Sequence, residues 1–334
     1  MTKLAVVGAT GAVGREVLNL LTIRNFPLTE LRVFASSRSA GSNVHFRGND
    51  LIVEDLAGAD FSTVEIAIFD TPDDVAAKYA PIARDAGCIV IDNSAAFRMD
   101  DDVPLVIPEI NGRLLEKRSG IIANPNCTTA IGLMGLWPLH KEFGLERVFG
   151  SSYQAVSGAG ESGIAQLNRE TREYVTGVAE EIGVPAFPHP ILRNVIPHIG
   201  RFDANGNTSE EMKFEREGRK IMNLPHFSSS LTCVRVPVMR SHSVDMIAFF
   251  EKRVSVRRAH DALREASGVT LKDDTAKGLY PMPLTATESF DCEVGRVRMV
   301  PGFQKALHLF VSGDQLWKGA ALNAVQIAER LVSG

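Results

Sequence analysis

The sequence predicts a two-domain α/β protein, with a doubly wound parallel sheet of Rossmann type in its first half and an α+β arrangement in its second half. Three observations predict this fold class. The chain has 334 residues, about twice the length of a typical domain. Its first half alternates short apolar strands with helices, which is the rhythm of β-α-β units. From about residue 145, strand-like runs such as SVDMIAFFEK and ALHLFVSGD are separated by long helical or irregular segments.

The first elements are a buried strand, a glycine-rich turn and an amphipathic helix, which together form the stretch KLAVVGATGAVGREVLNLL. Three glycines spaced GxxGxxG allow the backbone to approach a pyrophosphate held at the helix N-terminus. Glycines in such turns also serve conformation alone. The position between a strand and a helix favours the nucleotide interpretation, and the candidate cofactor-binding residues are Gly8, Thr10, Gly11, Ala12, Val13 and Gly14.

The second strand, LRVFASS, ends where an NAD-specific site normally presents an acidic residue to the ribose hydroxyls. The turn instead contains Ser36, Ser37, Arg38 and Ser39. Hydroxyl groups and a guanidinium suit a 2′-phosphate, so we predict NADP as the cofactor. The alternative is a polar turn that carries one solvated arginine.

Three further strands, VEIAIFDTP, GCIVIDNS and GIIAN, extend the parallel sheet, with a helix predicted over about 73–86. Ligands of such sheets bind at the carboxyl ends of the strands. Thr71 and Asn93 follow two of these ends, and Arg98 lies in the loop after Asn93. We therefore expect Thr71 to contact the cofactor, whereas Arg98, taken alone, also fits a solvated loop residue.

The stretch ANPNCTT places Cys127 after a chain-breaking proline and before a continuous apolar run, which predicts a thiol in the first turn of a buried helix. Unpaired N–H groups and the positive end of the helix dipole favour a thiolate there. A free cysteine is also among the most buried residue types, and Cys88, inside a strand, is expected to serve packing alone. The position of Cys127 beyond a strand end favours a nucleophile.

Ionisable groups of the second half are candidates for the surroundings of such a thiolate. Arg235 and His242 frame the run RVPVMRSH, and a helix that begins near TSEEMK carries Glu210 and Lys213 on one face. The alternatives are a hydrogen-bonded structural histidine and a solvated, salt-bridged helix face.

Composition and charge exclude several classes of protein. A formal charge of −4 without a basic cluster argues against nucleic-acid binding. We find no targeting signal and no apolar run of about 18 residues, so we expect a cytoplasmic protein that does not bind membranes. The scattered cysteines and histidines show no metal-ligand spacing, so no metal is predicted. An amphipathic helix predicted over 313–332 packs back on the nucleotide domain, which gives domains 1–126 plus 313–334, and 127–312.

Seven motifs occur in the order in which bacterial aspartate-semialdehyde dehydrogenases carry them: GATGAVG, SSRS, NSAAFRMDDDVPLVIPEIN, NPNCTT, SYQAVSGAG, EEMK and RVPVMRSH. They cover nearly the whole chain, and the sequence closely resembles that family. The resemblance implies NADPH-dependent reductive dephosphorylation of L-aspartyl-4-phosphate to L-aspartate-4-semialdehyde, a step towards lysine, methionine, threonine and diaminopimelate. It also implies a homodimer, or a homotetramer built from dimers, in which the second domain is both catalytic and the dimerisation interface.

The resemblance also implies roles for individual residues. Cys127 matches the nucleophile, His242 the acid/base, and Gln154 the residue that orients the reacting centre. Arg235 matches the residue that holds the substrate α-carboxylate, and Glu210 the one that faces its ammonium group. The phosphate-binding positions match Asn93, Arg98 and Lys213, and further cofactor-binding positions match Ser157, Gly158 and Asn323.

Three alternatives share parts of this pattern. N-acetylglutamyl-phosphate reductase and the glyceraldehyde-phosphate dehydrogenases also combine a Rossmann domain with a cysteine nucleophile and a histidine. Glu210 discriminates against both, because an acidic partner suits a free ammonium group and not an N-acetyl group or a sugar-derived aldehyde. An inactive, NADP-binding regulatory paralogue is the third alternative, and the presence of both Cys127 and His242 weighs against it.

Overall fold

The chain divides into two compact units, and each is described by itself. The computed structural model describes residues 2–116, 119–179 and 184–333. Unit 1 comprises Met1–Asn126 and Gly319–Gly334, and unit 2 comprises Cys127–Lys318. The sequence predicts the return of the chain to the first domain at residue 313, whereas the division into units places it at Gly319.

Unit 1 is an α/β unit built on one six-stranded sheet. Its strands are β1 (Thr2–Val7), β2 (Leu28–Ala35), β3 (Asn43–Phe46), β4 (Asn49–Ile52), β5 (Glu54–Asp55), β6 (Ile66–Phe69), β7 (Ile89–Asp92) and β8 (Ile121–Ala123). Its helices are α1 (Ala12–Ile23), α2 (Asp73–Asp85), α3 (Pro108–Asn111) and α9 (Leu322–Ser333). The sheet has the order β5-β2-β1-β6-β7-β8, and every pairing in it is parallel. The strands β3 and β4 form a separate antiparallel hairpin.

The central strands of this sheet are buried on both faces, as expected for a parallel sheet between helices. All four residues of β6 are buried, and α1 turns Val17, Leu20 and Leu21 into the core. The turn between β1 and α1 is tight, because Gly8 has φ +90° and a Cβ placed on it would lie 2.0 Å from the carbonyl oxygen of Asp70. At least part of the glycine pattern therefore serves conformation.

Unit 2 is an α+β unit, also built on one six-stranded sheet. Its strands are β9 (Leu145–Gln154), β10 (Ser228–Arg235), β11 (His242–Phe250), β12 (Val269–Leu271), β13 (Cys292–Met299) and β14 (Ala306–Gly313). Its helices are α4 (Cys127–Phe143), α5 (Gly160–Thr176), α6 (Ser209–Met222), α7 (Val256–Arg264) and α8 (Pro283–Ala286). The sheet has the order β10-β9-β11-β14-β13-β12; the two outer pairings are parallel and the inner ones antiparallel. The predicted fold class is confirmed.

One face of this second sheet is covered by helices, because α4, α6 and α7 pack against its strands. Alternate residues of β9 point to opposite faces, so Val148 and Ser152 are buried whereas Phe149 and Tyr153 are 46% and 39% exposed. The exposed face carries an aromatic row, in which Phe249 makes edge contacts to Phe149 and to residue Phe303.

The C-terminal helix is shorter than predicted. Helical structure begins with a π-helical turn, Trp317–Ala321, that continues into α9 at Leu322, and not at Gly313, because Gly313 is still paired with His242 in the sheet. The carboxylate of Asp314 then accepts the backbone N–H groups of Leu316 and Trp317, which forms a turn. The predicted helix therefore starts four residues too early, because Gly313 ends a strand and the residues up to Leu316 form a turn.

Candidate active site

Cys127 is the first residue of α4, a helix that is buried along most of its length. None of the four cysteines is in a disulfide, and Cys127 is the only one of them that is not buried. Burial raises the pKa of the Cys88 and Cys233 thiols to about 12. Since thiolates rather than thiols are nucleophilic, Cys127 is the best-placed cysteine for covalent chemistry.

Three candidate residues lie at the ends of three adjacent strands of unit 2. Gln154 ends β9 and is the direct register partner of Arg235, which ends the parallel strand β10. His242 begins β11, which runs antiparallel to β9 and pairs Ser243 with Tyr153. The sheet therefore brings Gln154, Arg235 and His242 to the same edge.

His242 is fully buried, at 0% exposure. Its Nδ1 accepts the backbone N–H of Ala155 at 3.1 Å, so the neutral imidazole carries its proton on Nε2. Among the described residues Nε2 has no hydrogen-bond partner. Burial first, and then the charge of Arg235, lower the pKa of His242 to about 3, although Glu210 opposes this shift. The ring is therefore neutral and presents an unused N–H donor.

Gly158 allows Arg235 and His242 to approach the same point. It lies in a short 3-10 helix, Val156–Ala159, that follows β9. A Cβ on Gly158 would lie 2.7 Å from Nη1 of Arg235 and 3.0 Å from Nε2 of His242. The guanidinium of Arg235 donates to the carbonyl oxygen of Ala155 at 2.7 Å, while its Nε has no partner among the described residues. One donor of a buried cation is thus available to a ligand.

Glu210 links this strand edge to α6. Only 7% of Glu210 is exposed; one carboxylate oxygen accepts from Nε2 of Gln154 at 3.3 Å and the other from Nζ of Lys213 at 3.1 Å. The helix start is set by Thr208, which forms a capping box with Glu211. A buried carboxylate therefore stands beside Gln154, which is not the solvated helix face that the sequence left open.

Ser157 and Gly158 are the two remaining candidates of unit 2, and both already contact other residues of the protein. Ser157 donates its hydroxyl to the carbonyl oxygen of Met239 at 2.6 Å and accepts from the amide of Gln315. Gly158, as described, borders Arg235 and His242. Their cofactor-binding role stays a prediction.

In unit 1, the glycine turn and two strand ends surround unpaired polar atoms. The N-cap residue of α1 is Gly11, which has no side chain to cap the helix, and the carboxyl group of Asp70 hydrogen-bonds to the N–H of Gly14 in the first turn. The hydroxyl of Thr71 and Oδ1 of Asn93 are buried without a hydrogen-bond partner among the described residues. A helix N-terminus and unsatisfied hydrogen-bonding atoms at the carboxyl edge of a parallel sheet fit a dinucleotide.

The other unit 1 candidates differ in their surroundings. The turn of Ser36, Ser37 and Arg38 is exposed after β2, as a 2′-phosphate site requires. Arg98 is buried and donates to the carbonyl oxygens of Asn93 and Asn124 at 2.7 and 2.8 Å. Nδ2 of Asn323 donates to the carbonyl oxygen of Val106 and to Oδ1 of Asn124. Arg98 and Asn323 thus hold neighbouring loops, and their ligand roles stay predictions.

Asp70, which directly follows β6 and precedes Thr71, was not predicted as a site residue. Burial raises the pKa of its carboxyl to about 6. The available signal was its position, since an acidic residue stood at a strand end next to a predicted phosphate-binding turn.

A separate cavity of about 660 Å³ lies in unit 1 between α1 and the β3–β4 hairpin. Of the candidate site residues, Thr10 alone is among those that line it. Among the residues that the structure describes, no three His, Cys, Asp or Glu side chains are grouped as metal ligands. Over the same ranges, no helix has both the length and the apolar character that crossing a bilayer requires.

Known proteins resemble this chain over its full length. A family model described as "Semialdehyde dehydrogenase, NAD binding domain" matches residues 3–118, and one described as "Semialdehyde dehydrogenase, dimerisation domain" matches residues 136–318. The aspartate-semialdehyde dehydrogenase of Mycolicibacterium smegmatis is 45% identical, with 100% of this chain and 99% of that protein covered. That of Bacillus subtilis is 43% identical over 98% of this chain and 96% of its own.

The solved structures agree. The crystal structure of aspartate semialdehyde dehydrogenase II complexed with ASA from Vibrio cholerae superposes with a TM-score of 0.95 at 39% identity, and covers 100% of this chain and 98% of that chain. These relatives do not favour the alternatives weighed above, and the resemblance found in the motifs is confirmed. The chain belongs to the aspartate-semialdehyde dehydrogenase family.

Proposed function

We propose that the protein catalyses the reversible, phosphate-dependent interconversion of L-aspartyl-4-phosphate and L-aspartate-4-semialdehyde with NADP as the cofactor. The observation that carries this proposal is the buried carboxylate of Glu210 beside Gln154. A site built for an α-amino acid needs a counter-charge for the ammonium group, and Glu210 supplies it close to the cationic Arg235, which suits the α-carboxylate.

The proposed chemistry begins with the sulfur of Cys127. Its thiolate attacks the acyl carbon, a carbon–sulfur bond forms, and the bond to the phosphate oxygen breaks. When bound at unit 1, NADPH would supply the hydride that reduces the resulting thioester. The carbon–sulfur bond then breaks, which releases the aldehyde and regenerates the thiolate.

His242 enters this sequence as a donor. With Nδ1 occupied by the N–H of Ala155, Nε2–H donates to the charge that develops on oxygen or on the departing sulfur. In this neutral tautomer His242 is a hydrogen-bond donor, and its predicted acid/base role, which needs a change of its protonation state, stays a prediction. Gln154, bonded to both Ser152 and Glu210, is held in one orientation and positions the reacting carbonyl.

The phosphate and cofactor assignments rest on charge and position. Lys213 is partly exposed and already faces Glu210, so it offers an ammonium group to the leaving phosphate. For Asn93 and Arg98 of unit 1 we retain the predicted phosphate-binding role. The exposed turn with Arg38 is proposed for the 2′-phosphate, and the glycine turn for the pyrophosphate.

We further propose that two copies of the chain associate through the exposed face of the unit 2 sheet. Aromatic side chains of β9 and β11 remain partly exposed there, next to a polar cluster in which His308 contacts Asp245 at 2.8 Å. An apolar area with a hydrogen-bonding centre is typical of a homodimer interface. The proposal thus covers a homodimer, alone or within a homotetramer, of a cytoplasmic enzyme.

The deciding experiment measures NADP reduction by the purified protein with L-aspartate-4-semialdehyde, in the presence and absence of inorganic phosphate. We expect turnover that requires phosphate. N-acetylglutamate semialdehyde is the matched competing substrate, because it has no free ammonium group for Glu210. Turnover with the acetylated aldehyde alone, or with neither, would overturn the proposed function.

A further inference from the structure

Asp70 faces the glycine turn of unit 1 from the end of the adjacent strand. Its backbone carbonyl would lie 2.0 Å from a Cβ on Gly8, and its Oδ2 is 3.7 Å from the position of a Cβ on Gly11. The carboxyl group of Asp70 therefore lies at the turn that we propose for the pyrophosphate.

This carboxyl group also occupies the electropositive end of α1. The backbone N–H of Gly14 hydrogen-bonds to it, and Gly14 lies in the first turn of the helix. A pyrophosphate at this turn is stabilised by the same N–H groups and the same dipole. An ionised carboxylate and a pyrophosphate at one helix end repel each other, unless the carboxyl group takes up a proton.

The surroundings of Asp70 favour its neutral form. Burial is the largest cause of its raised pKa of about 6, and the like charge of Asp92 at the end of β7 adds to it. The groups that oppose the shift are uncharged: the amide of Asn93, at 3.5 Å, and the N–H of Gly14. The α1 N-terminus and Asn93 thus favour the charged form, but burial and Asp92 outweigh them.

Unpaired atoms beside Asp70 show that the hydrogen bonds of this corner are incomplete. Oδ1 of Asn93 and Oγ1 of Thr71 are buried without partners among the residues described. A protonated Asp70 can donate its O–H to the amide oxygen of Asn93, once that amide is turned, or to a ligand oxygen. Neither bond is open to the carboxylate.

We propose that Asp70 is part of the dinucleotide site and admits the cofactor in its neutral, protonated form, so that each NADP bound draws one proton from the buffer onto this side chain. The inference rests on the proposed function, because it requires that unit 1 binds NADP. No covalent bond changes; the proton moves from solvent to the Asp70 carboxyl group as the pyrophosphate enters.

The expected pH dependence follows from the pKa of about 6. Below that pH the carboxyl group is already protonated, and the NADP affinity of the wild type and of Asp70→Asn should be similar. Above it, protonation must accompany binding, so the wild type should bind about tenfold more weakly than the variant at pH 7 and up to about 100-fold more weakly at pH 8. The ratio of the two dissociation constants cancels the titration of the cofactor's own 2′-phosphate.

The test is calorimetric titration of the intact protein with NADP from pH 6 to 8, for the wild type, Asp70→Asn and the control Asp74→Asn. Asp74 is an exposed carboxylate in the first turn of α2, so its variant should behave like the wild type. Repeating the wild-type titration at pH 7.5 in two buffers of different ionisation enthalpy counts the protons directly. We expect uptake of nearly one proton for the wild type and none assignable to Asp70 in Asp70→Asn.

Three outcomes would contradict either the role of Asp70 or the proposed function. A ratio of dissociation constants that is independent of pH, or the absence of proton uptake by the wild type, overturns the role of Asp70. Tighter wild-type binding at higher pH, relative to Asp70→Asn, shows that the carboxylate accepts hydrogen bonds from the ligand instead. Failure of every protein to bind NADP at any pH contradicts the proposed function itself.

Discussion

The backbone N–H of Ala155 donates to Nδ1 of His242 across 3.1 Å, and this bond joins the residue after β9 to the first residue of β11. It orients the imidazole and selects the tautomer with its proton on Nε2. Because the donor is a backbone N–H group, the tautomer of His242 cannot be predicted from the side chains in the sequence.

The buried His242 should make the protein sensitive to acid. Its pKa is lowered to about 3 in the folded protein, by burial and by Arg235, and lies near 6.5 in the unfolded chain. The unfolded chain therefore binds a proton that the folded protein excludes between these values. The stability from neutral His242 is fully present above pH 6.5 and is lost as the pH falls towards 3, by at most about 1.4 kcal/mol per pH unit.

The variant His242→Gln should flatten this part of the pH dependence. Thermal unfolding followed by calorimetry between pH 7 and 4.5 measures it, with the exposed loop residue His189→Gln as the control. If His242→Gln and the wild type lose stability with the same slope, His242 is not held neutral.

Cys127→Ala should abolish turnover and leave NADP binding unchanged, because the thiol is proposed for chemistry and the glycine turn for binding. In the wild type, iodoacetamide should modify Cys127 first, since the other three cysteines are buried. Peptide mass spectrometry after partial labelling gives the order of modification. Activity that survives complete labelling of Cys127 would exclude it as the nucleophile.

Variants of α6 should separate the two ends of the substrate. Glu210→Gln removes the counter-charge of the ammonium group and should lower kcat/KM for the aldehyde by roughly tenfold or more, with little change in phosphate saturation. Lys213→Ala should instead raise the KM for phosphate. Arg235→Lys, which loses the two-pronged contact to the α-carboxylate, should behave like Glu210→Gln.

Steady-state kinetics with aldehyde and phosphate varied independently distinguish these effects, and the exposed Arg216→Ala on the same helix is the control. An unchanged response to the aldehyde in Glu210→Gln would remove the main argument for a free α-amino group.

Arg38→Ala should reduce the preference for NADP over NAD. A charge-assisted bond to the 2′-phosphate contributes about 1.5 to 3 kcal/mol, which corresponds to at least tenfold. The measurement is kcat/KM for both cofactors in the wild type and the variant. Equal efficiency with NADP and NAD in the wild type would show that the serine-rich turn does not select the cofactor.

A charge placed on the exposed face of the unit 2 sheet should prevent two copies of the chain from associating, because dimerisation would bury that charge. Phe149→Glu places a carboxylate on the aromatic row of β9 and should convert the dimer to a monomer, as measured by light scattering after gel filtration. Tyr174→Glu is the control, because Tyr174 is an exposed aromatic residue of the helix α5 and not of that sheet. An unchanged mass for Phe149→Glu would place the interface elsewhere.

Local patterns in the sequence were sufficient to predict the parallel sheet of unit 1 and the position of Cys127 at the start of a helix. Apolar runs bounded by glycine and proline mark strands directly, and Pro125 with the apolar run after Thr129 marks the start of α4. The start of α9 was not predictable in this way, because Gly313 is retained by pairing with a distant strand.

The hydrogen-bond partners of side chains could not be predicted from the sequence either. The hydroxyl of Ser157 is engaged by Met239 and Gln315, which are far along the chain. Asp70 was overlooked because its environment comes from a turn more than fifty residues earlier, and burial by distant residues leaves no local signal. Helix spacing did indicate that Glu210 and Lys213 share a face, but only the structure showed Glu210 buried against Gln154.

The placement of Gln154, Arg235 and His242 on neighbouring strand ends has a further consequence for how the site tolerates change. A strand can shift against its neighbour only by whole residues, each about 3.3 Å, and an odd shift turns every side chain to the opposite face. The register therefore fixes which of these three groups are neighbours, and a strain too small to break the ladder leaves that arrangement unchanged. After a heat pulse, the molecules that remain folded should have the same kcat as unheated protein when both are assayed at one reference temperature, and the loss of activity should coincide with the melting of this sheet.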